Sequence, residues 1–190
     1  MPERFIPPHG GYRDLLSYRK AEIVYDSTVC FCRRFLSERD RTVDQMIQAA
    51  RSGKQNIVEG CSTSGGSKES EIRLLSVARA SLEELLTDFG DFLRSRGMAS
   101  WEKESRQAQF VRRLGAMPDC TYETFRSYVE SRPPHVVANL VICLIHQTNY
   151  LLDRQLRALE RAFVREGGIR ERMTRARRKA RARQEEPEDR

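Results

Sequence analysis

RSGKQNIVEG, residues 51–60, sets a glycine, a lysine, two amides and a carboxylate inside a segment that otherwise has helical spacing. Three readings compete: a phosphate-binding loop, an active site, or the seam of an assembly. A P-loop needs G-x-x-x-x-G-K-[ST] after a strand, because its glycines let backbone donors wrap phosphates. Here Gln55 follows Gly53 and Lys54, and Gln48 stands where the first glycine belongs, so that reading fails. On a 100° wheel Val43, Met46, Ile47, Ala50, Gly53, Lys54, Ile57 and Cys61 share one side, which is expected to face a core. Gly53 there permits a close helix approach, and the Lys54 stem reaches past the core edge. The other side holds Gln45, Gln48, Ala49, Ser52, Gln55, Asn56 and Glu59. Charged residues are depleted at interface cores, so a nearly uncharged outer face predicts an oligomer seam, with ordinary solvent exposure the plain alternative.

Outward from this segment the pattern stays helical. Apolar residues at the 3.6-residue period predict a first helix over 17–39, and Thr42 with Gln45 has capping-box spacing for a second helix ending near Cys61. Ser67 is an N-cap for a third helix reaching Gly97, with Leu75, Ala78, Leu82, Leu85, Phe89, Phe92 and Leu93 as its stripe. Residues 98–132 read as an insertion with two short helices, around 101–114 and 122–130. Pro133 and Pro134 open a last long helix to Glu166, because the first turn needs no intrahelical donor. The class is therefore all-α: an antiparallel up-down four-helix bundle over 12–166, interrupted by a short helical insertion before its last long helix. Residues 1–11 read as a disordered lead-in, and 167–190 as an Arg-rich basic C-terminal tail, disordered or helical on binding.

Charge is uneven along the chain. The total is +7, and Arg outnumbers Lys by 29 to 5, which suits planar anions such as phosphates. Residues 165–183 carry nine basic and two acidic side chains, a net +7, while 1–164 sum to +3 and the last seven to −3. Five cysteines without a C-x-x-C suggest neither a disulfide framework nor zinc, and buried thiols are expected. Residues 133–152 contain no Asp, Glu, Lys or Arg, yet His135, Asn139, His146, Gln147, Thr148 and Asn149 interrupt the run, so a buried helix is expected rather than a membrane span. No secretory signal is read at the N-terminus, and a cytoplasmic location is expected. The outer side of that helix, Asn139, Ile142, His146 and Asn149, needs covering, which again favours a homo-oligomer. Catalysis finds no constellation of nucleophile, base and orienter: Lys54 lies across the helix from Asn56 and Glu59, and Glu83 and Glu84 diverge. No catalytic, cofactor-binding or metal-binding residues are assigned.

AARSGKQNIVEG at 49–60, followed by ESEIRLLSVARASLEELLTDF at 69–89, resembles the bacterial four-helix-bundle family. That family includes ribosomal-RNA intervening-sequence proteins and the accessory variability protein of diversity-generating retroelements. The motif residues are Ser52, Asn56, Ile57, Glu59 and Gly60, then Ala78, Ser81, Leu82, Glu84 and Leu85. The insertion and tail look more like the four-helix-bundle suffix variant, while Gly53 and Lys54 depart from the motif's apolar-Pro step. The resemblance implies a homopentamer, a non-enzymatic adaptor role, nucleic-acid binding and a reverse transcriptase as partner. An oligomer or structural role is expected for Gln48 and Gln55 from the amide face of the wheel, and for Ser52, Asn56, Glu59, Gly60, Ser81 and Glu84 from the motif.

The leading expectation is thus a homo-oligomeric accessory protein that binds nucleic acid through Arg170, Arg172, Arg175, Arg177, Arg178, Lys179, Arg181 and Arg183. Contacts of this kind are salt-sensitive and read phosphates rather than bases. The alternative is a scaffold for an acidic protein partner without a physiological nucleic-acid role. An enzyme with a site between subunits, built on Ser52, Asn56, Glu59 and His146, is the third.

Overall fold

The computed structural model describes residues 11–64 and 67–185, and for Lys179, Ala180 and residues 182–185 the backbone alone. The lead-in over 1–10 and the last five residues lie outside them. The described chain is all-helical, without a strand: a 3-10 turn at Tyr12–Asp14, then α1 (Leu16–Phe35), α2 (Arg41–Thr63), α3 (Lys68–Ser95), α4 (Arg106–Gly115), α5 (Tyr122–Ser131), α6 (Pro134–Glu166) and α7 (Ile169–Glu185).

Local chemistry sets these bounds. Asp40 caps α2 by accepting from the Thr42 amide at 2.9 Å, so the expected Thr42–Gln45 capping box is not used. With Asp40 as the cap, the helix starts at Arg41 and Thr42 already lies inside its first turn. Ser67 caps α3 as expected, accepting from the Ser70 amide at 3.2 Å. Pro134 occupies the first turn of α6, where the missing N–H costs nothing.

The long helices pack in a cycle: α1 lies against α2 and α6, and α3 closes it between α2 and α6. Phe31 of α1, fully buried, meets Phe89 and Phe92 of α3 edge-on at centroid distances of 4.9 and 4.8 Å. Lys54 spans from α2 to α1, its ammonium 4.2 Å from the centre of the Tyr25 ring. Polar pairs tie α3 to α6: Arg79 to Asp153 at 2.6 Å, Asn149 to Glu83 at 3.1 Å, and Lys68 to Glu166. The α6 segment contains the one window among the described residues long and apolar enough to cross a membrane, and 56% of it is buried in the structure.

The insertion is part of this core. Its Val111, Cys120, Phe125 and Val129 are buried with the residues of the long helices. Segment α4 packs on α6, and α5 packs on α1, where the Arg34 guanidinium donates to the carbonyls of Val129 and Arg132.

Helices α2 and α3 share the most extensive contact, and Gly53 lies within it. A Cβ there would lie 2.8 Å from Cγ and Cδ2 of Leu82, itself fully buried. Gly90, inside α3, has nothing within 4 Å of a Cβ position. Gly90→Ala is therefore expected to stabilise the chain by about 0.5–1 kcal/mol through helix propensity. Gly53→Ala is expected to destabilise it by about 1–2 kcal/mol, because overpacking outweighs the same propensity gain. Paired urea melts check both, and a Gly53→Ala chain as stable as Gly90→Ala would refute the close approach.

Candidate functional site

The α2 motif splits into two parts in three dimensions. Ser52 and Asn56, expected on the outer face, turn toward α3: the Ser52 and Ser81 hydroxyls lie 2.8 Å apart, and the Asn56 amide donates to the Ser52 carbonyl and hydroxyl at 2.9 and 3.2 Å. Ala49, assigned to the same outer face, is only 4% exposed. Gly60 is buried too, its Cβ position 3.5 Å from Leu74 and Leu75. The physical reason is that α2 has two neighbours. Its buried arc spans both α1 and α3, and is wider than one apolar stripe predicts.

What remains outward is Gln45, Gln48, Glu59 and, on α3, Glu84, all exposed, with Gln55 half-buried. Asp44 and Arg51 are exposed among them, so the outer face of α2 is not free of charge. The outer side of α6 is likewise covered from within. Asn139, 1% exposed, accepts from the Trp101 amide at 2.7 Å and donates to the carbonyls of Ala99 and His135 at 3.0 and 2.8 Å. Asn149 is buried and donates to Glu83, whereas His146 remains exposed. The two faces expected to meet another subunit thus find much of their cover inside one chain.

The basic tail presents a different surface. Gly167 adopts φ 76°, a left-handed conformation that favours glycine, and interrupts the chain between α6 and α7. Glu171 caps the new helix by accepting from the Gly168 amide at 3.0 Å. Before the break, Glu166 is held at about 2 by hydrogen bonds from Lys68 and Arg165, well below the ordinary carboxylate range. Arg170, Arg175, Arg177, Arg178 and Arg181 are exposed, while Arg172 is half-buried. The side chains of Lys179 and Arg183 lie outside the described residues. At 100° per residue the basic side chains cover most of the circumference of α7 and leave a sector of about 120° that holds Ile169, Met173 and Ala176.

Reactive chemistry is muted elsewhere. Burial, with Asp88 and Asp40 nearby, pushes the Cys32 thiol up to about 12, and burial raises Cys143 to about 11 despite Arg112. Among the described residues no three His, Cys, Asp or Glu side chains gather as a metal site requires. No family model, curated protein or solved structure matches the chain.

Asn139 joins α6 to the start of the insertion through two backbone partners, the Trp101 amide and the Ala99 carbonyl. Asn139→Ala leaves the Trp101 amide and Ala99 carbonyl without it, at an expected cost of about 2–4 kcal/mol. Chemical denaturation measures the loss, and emission from Trp101, the chain's single tryptophan, is expected to shift red as the segment loosens. Unchanged emission would mean that the insertion holds its place without Asn139.

Proposed function

We propose that this chain is a non-enzymatic, homo-oligomeric accessory protein that binds nucleic-acid phosphates through α7. The observation that carries the reading is the helix of exposed arginines after the Gly167–Gly168 break. Guanidinium groups pair bidentately with phosphate oxygens, and exposed arginines over most of the circumference of a helix suit contact with a polyanion. A chain holding +7 within residues 165–183 attracts such partners over a distance that salt shortens.

In this reading the long helices are an antiparallel up-down four-helix bundle. The cross-helix pairs support it: Ser52 with Ser81 and Gly60 beside Leu74, then Lys68 with Glu166 and Arg79 with Asp153, descend along one helix as they ascend the other. The bundle organises the oligomer, a pentamer by the family resemblance, and a reverse transcriptase is the proposed protein partner. The outward residues Gln45, Gln48, Glu59 and Glu84, with exposed Val77 on α3, are the surface offered to a second copy.

Binding of a structured RNA and a duplex DNA across a salt series tests the nucleic-acid role. Replacing Arg175, Arg177, Arg178 and Arg181 with Gln is expected to reduce the logarithmic salt slope on duplex DNA by about 0.9 for each phosphate that is no longer neutralised. An unaltered slope would move the binding surface off α7, and no binding by the native chain at moderate salt would favour a scaffold for an acidic protein. Light scattering at micromolar concentration tests assembly separately: a multiple of the chain mass is expected, and a monomer mass removes the oligomer.

A further inference from the structure

Lys20, in the second turn of α1, is only 7% exposed, and its ammonium has no hydrogen-bond partner among the described residues. An ammonium withdrawn from water without a partner is costly, and folded chains rarely retain one without use. Lys20 lines a cavity of about 1120 Å³ between α1, α4 and α6, large enough for a drug-sized molecule. Apolar groups dominate its walls, and Leu16, Met117 and Tyr150 at its mouth are 54%, 54% and 62% exposed.

The charge of this cavity has one sign. Arg19, Lys103 and Arg112 join Lys20 in lining it, and no described Asp or Glu does so. Asp14 and Glu104, which stand outside the lining, form ion pairs with Arg19 and Arg112 at 3.7 and 3.8 Å. Neither makes an ion pair with Lys20. An apolar cavity with cations and an inner unpartnered ammonium complements a molecule with an apolar body and an anionic head.

We propose that the cavity between α1, α4 and α6 binds a small organic acid with an apolar body, its carboxylate held by Lys20 with Arg112 in support. The site is separate from α7 and from the outward face of α2. The insertion supplies one wall, which gives residues 98–132 a role beyond completing the core.

Trp101 lines the cavity and is the chain's single tryptophan, so its emission reports occupancy. Decanoate is the probe, with decanol as its uncharged counterpart. Decanoate is expected to change Trp101 emission saturably and to bind about tenfold or more tightly than decanol, as one charge-assisted hydrogen bond provides. Lys20→Met keeps the stem's volume and removes the buried charge. It is expected to hold or raise the melting temperature while decanoate loses its advantage over decanol. Arg112→Gln is expected to reduce that advantage in part, and serves as the second variant if Lys20→Met folds poorly. Equal binding of decanoate and decanol by the native chain, an absence of saturable binding, or an advantage that survives both substitutions overturns the proposal.

Discussion

The approach of α2 to α3 at Gly53 governs the arrangement of the other helices. Because Gly53 has no Cβ, Leu82 fills the space a side chain would take, and the two backbones close along their length. At that separation the Ser52 and Ser81 hydroxyls meet, and Asn56 satisfies what they leave open. A short polar triad beside a glycine contact favours one register: sliding α3 by a turn breaks the hydroxyl pair and drives Leu82 away from Gly53, whose missing Cβ leaves it room. The α1 and α6 helices then close the apolar channel that this pair leaves, with Phe31 wedged against Phe89 and Phe92.

Much of this order is legible along the chain. Ser67 and the paired prolines mark helix starts because capping acts within three or four residues, and the α3 stripe from Leu75 to Leu93 repeats at the helical period. Direction across the fold is less legible. A wheel drawn for α2 around one stripe sends Ser52 and Asn56 outward, because periodicity records that a residue is apolar and not how many helices surround it. Asn139 and Asn149 look like groups awaiting a second subunit until their partners are known. Those partners lie 38 and 66 residues away in sequence, at Trp101 and Glu83, beyond the reach of any local pattern. The same limit hides Lys20: its place on α1 is plain, but its burial depends on α4 and α6 closing over it.

Positive charge therefore occurs in two physical settings. On α7 most of it is exposed and open to large partners, so its attraction is long in range and weakened by salt. Around Lys20 it is recessed beside apolar walls, where dielectric screening is reduced and size selects what enters. The Gly167–Gly168 break separates the first setting from the end of α6, while the insertion builds the second.

The buried Cys32 thiol carries a temporal consequence. Thiolate is the species that attacks electrophiles and disulfides, and the packed interior holds Cys32 in the protonated form across neutral pH. Its modification must wait for an opening of the surrounding helices. Oxidation of Cys32 is thus a record of how often the interior has been breached: each breathing event offers water and oxidant the same brief access, and a bond formed then would trap the opened chain before it could close.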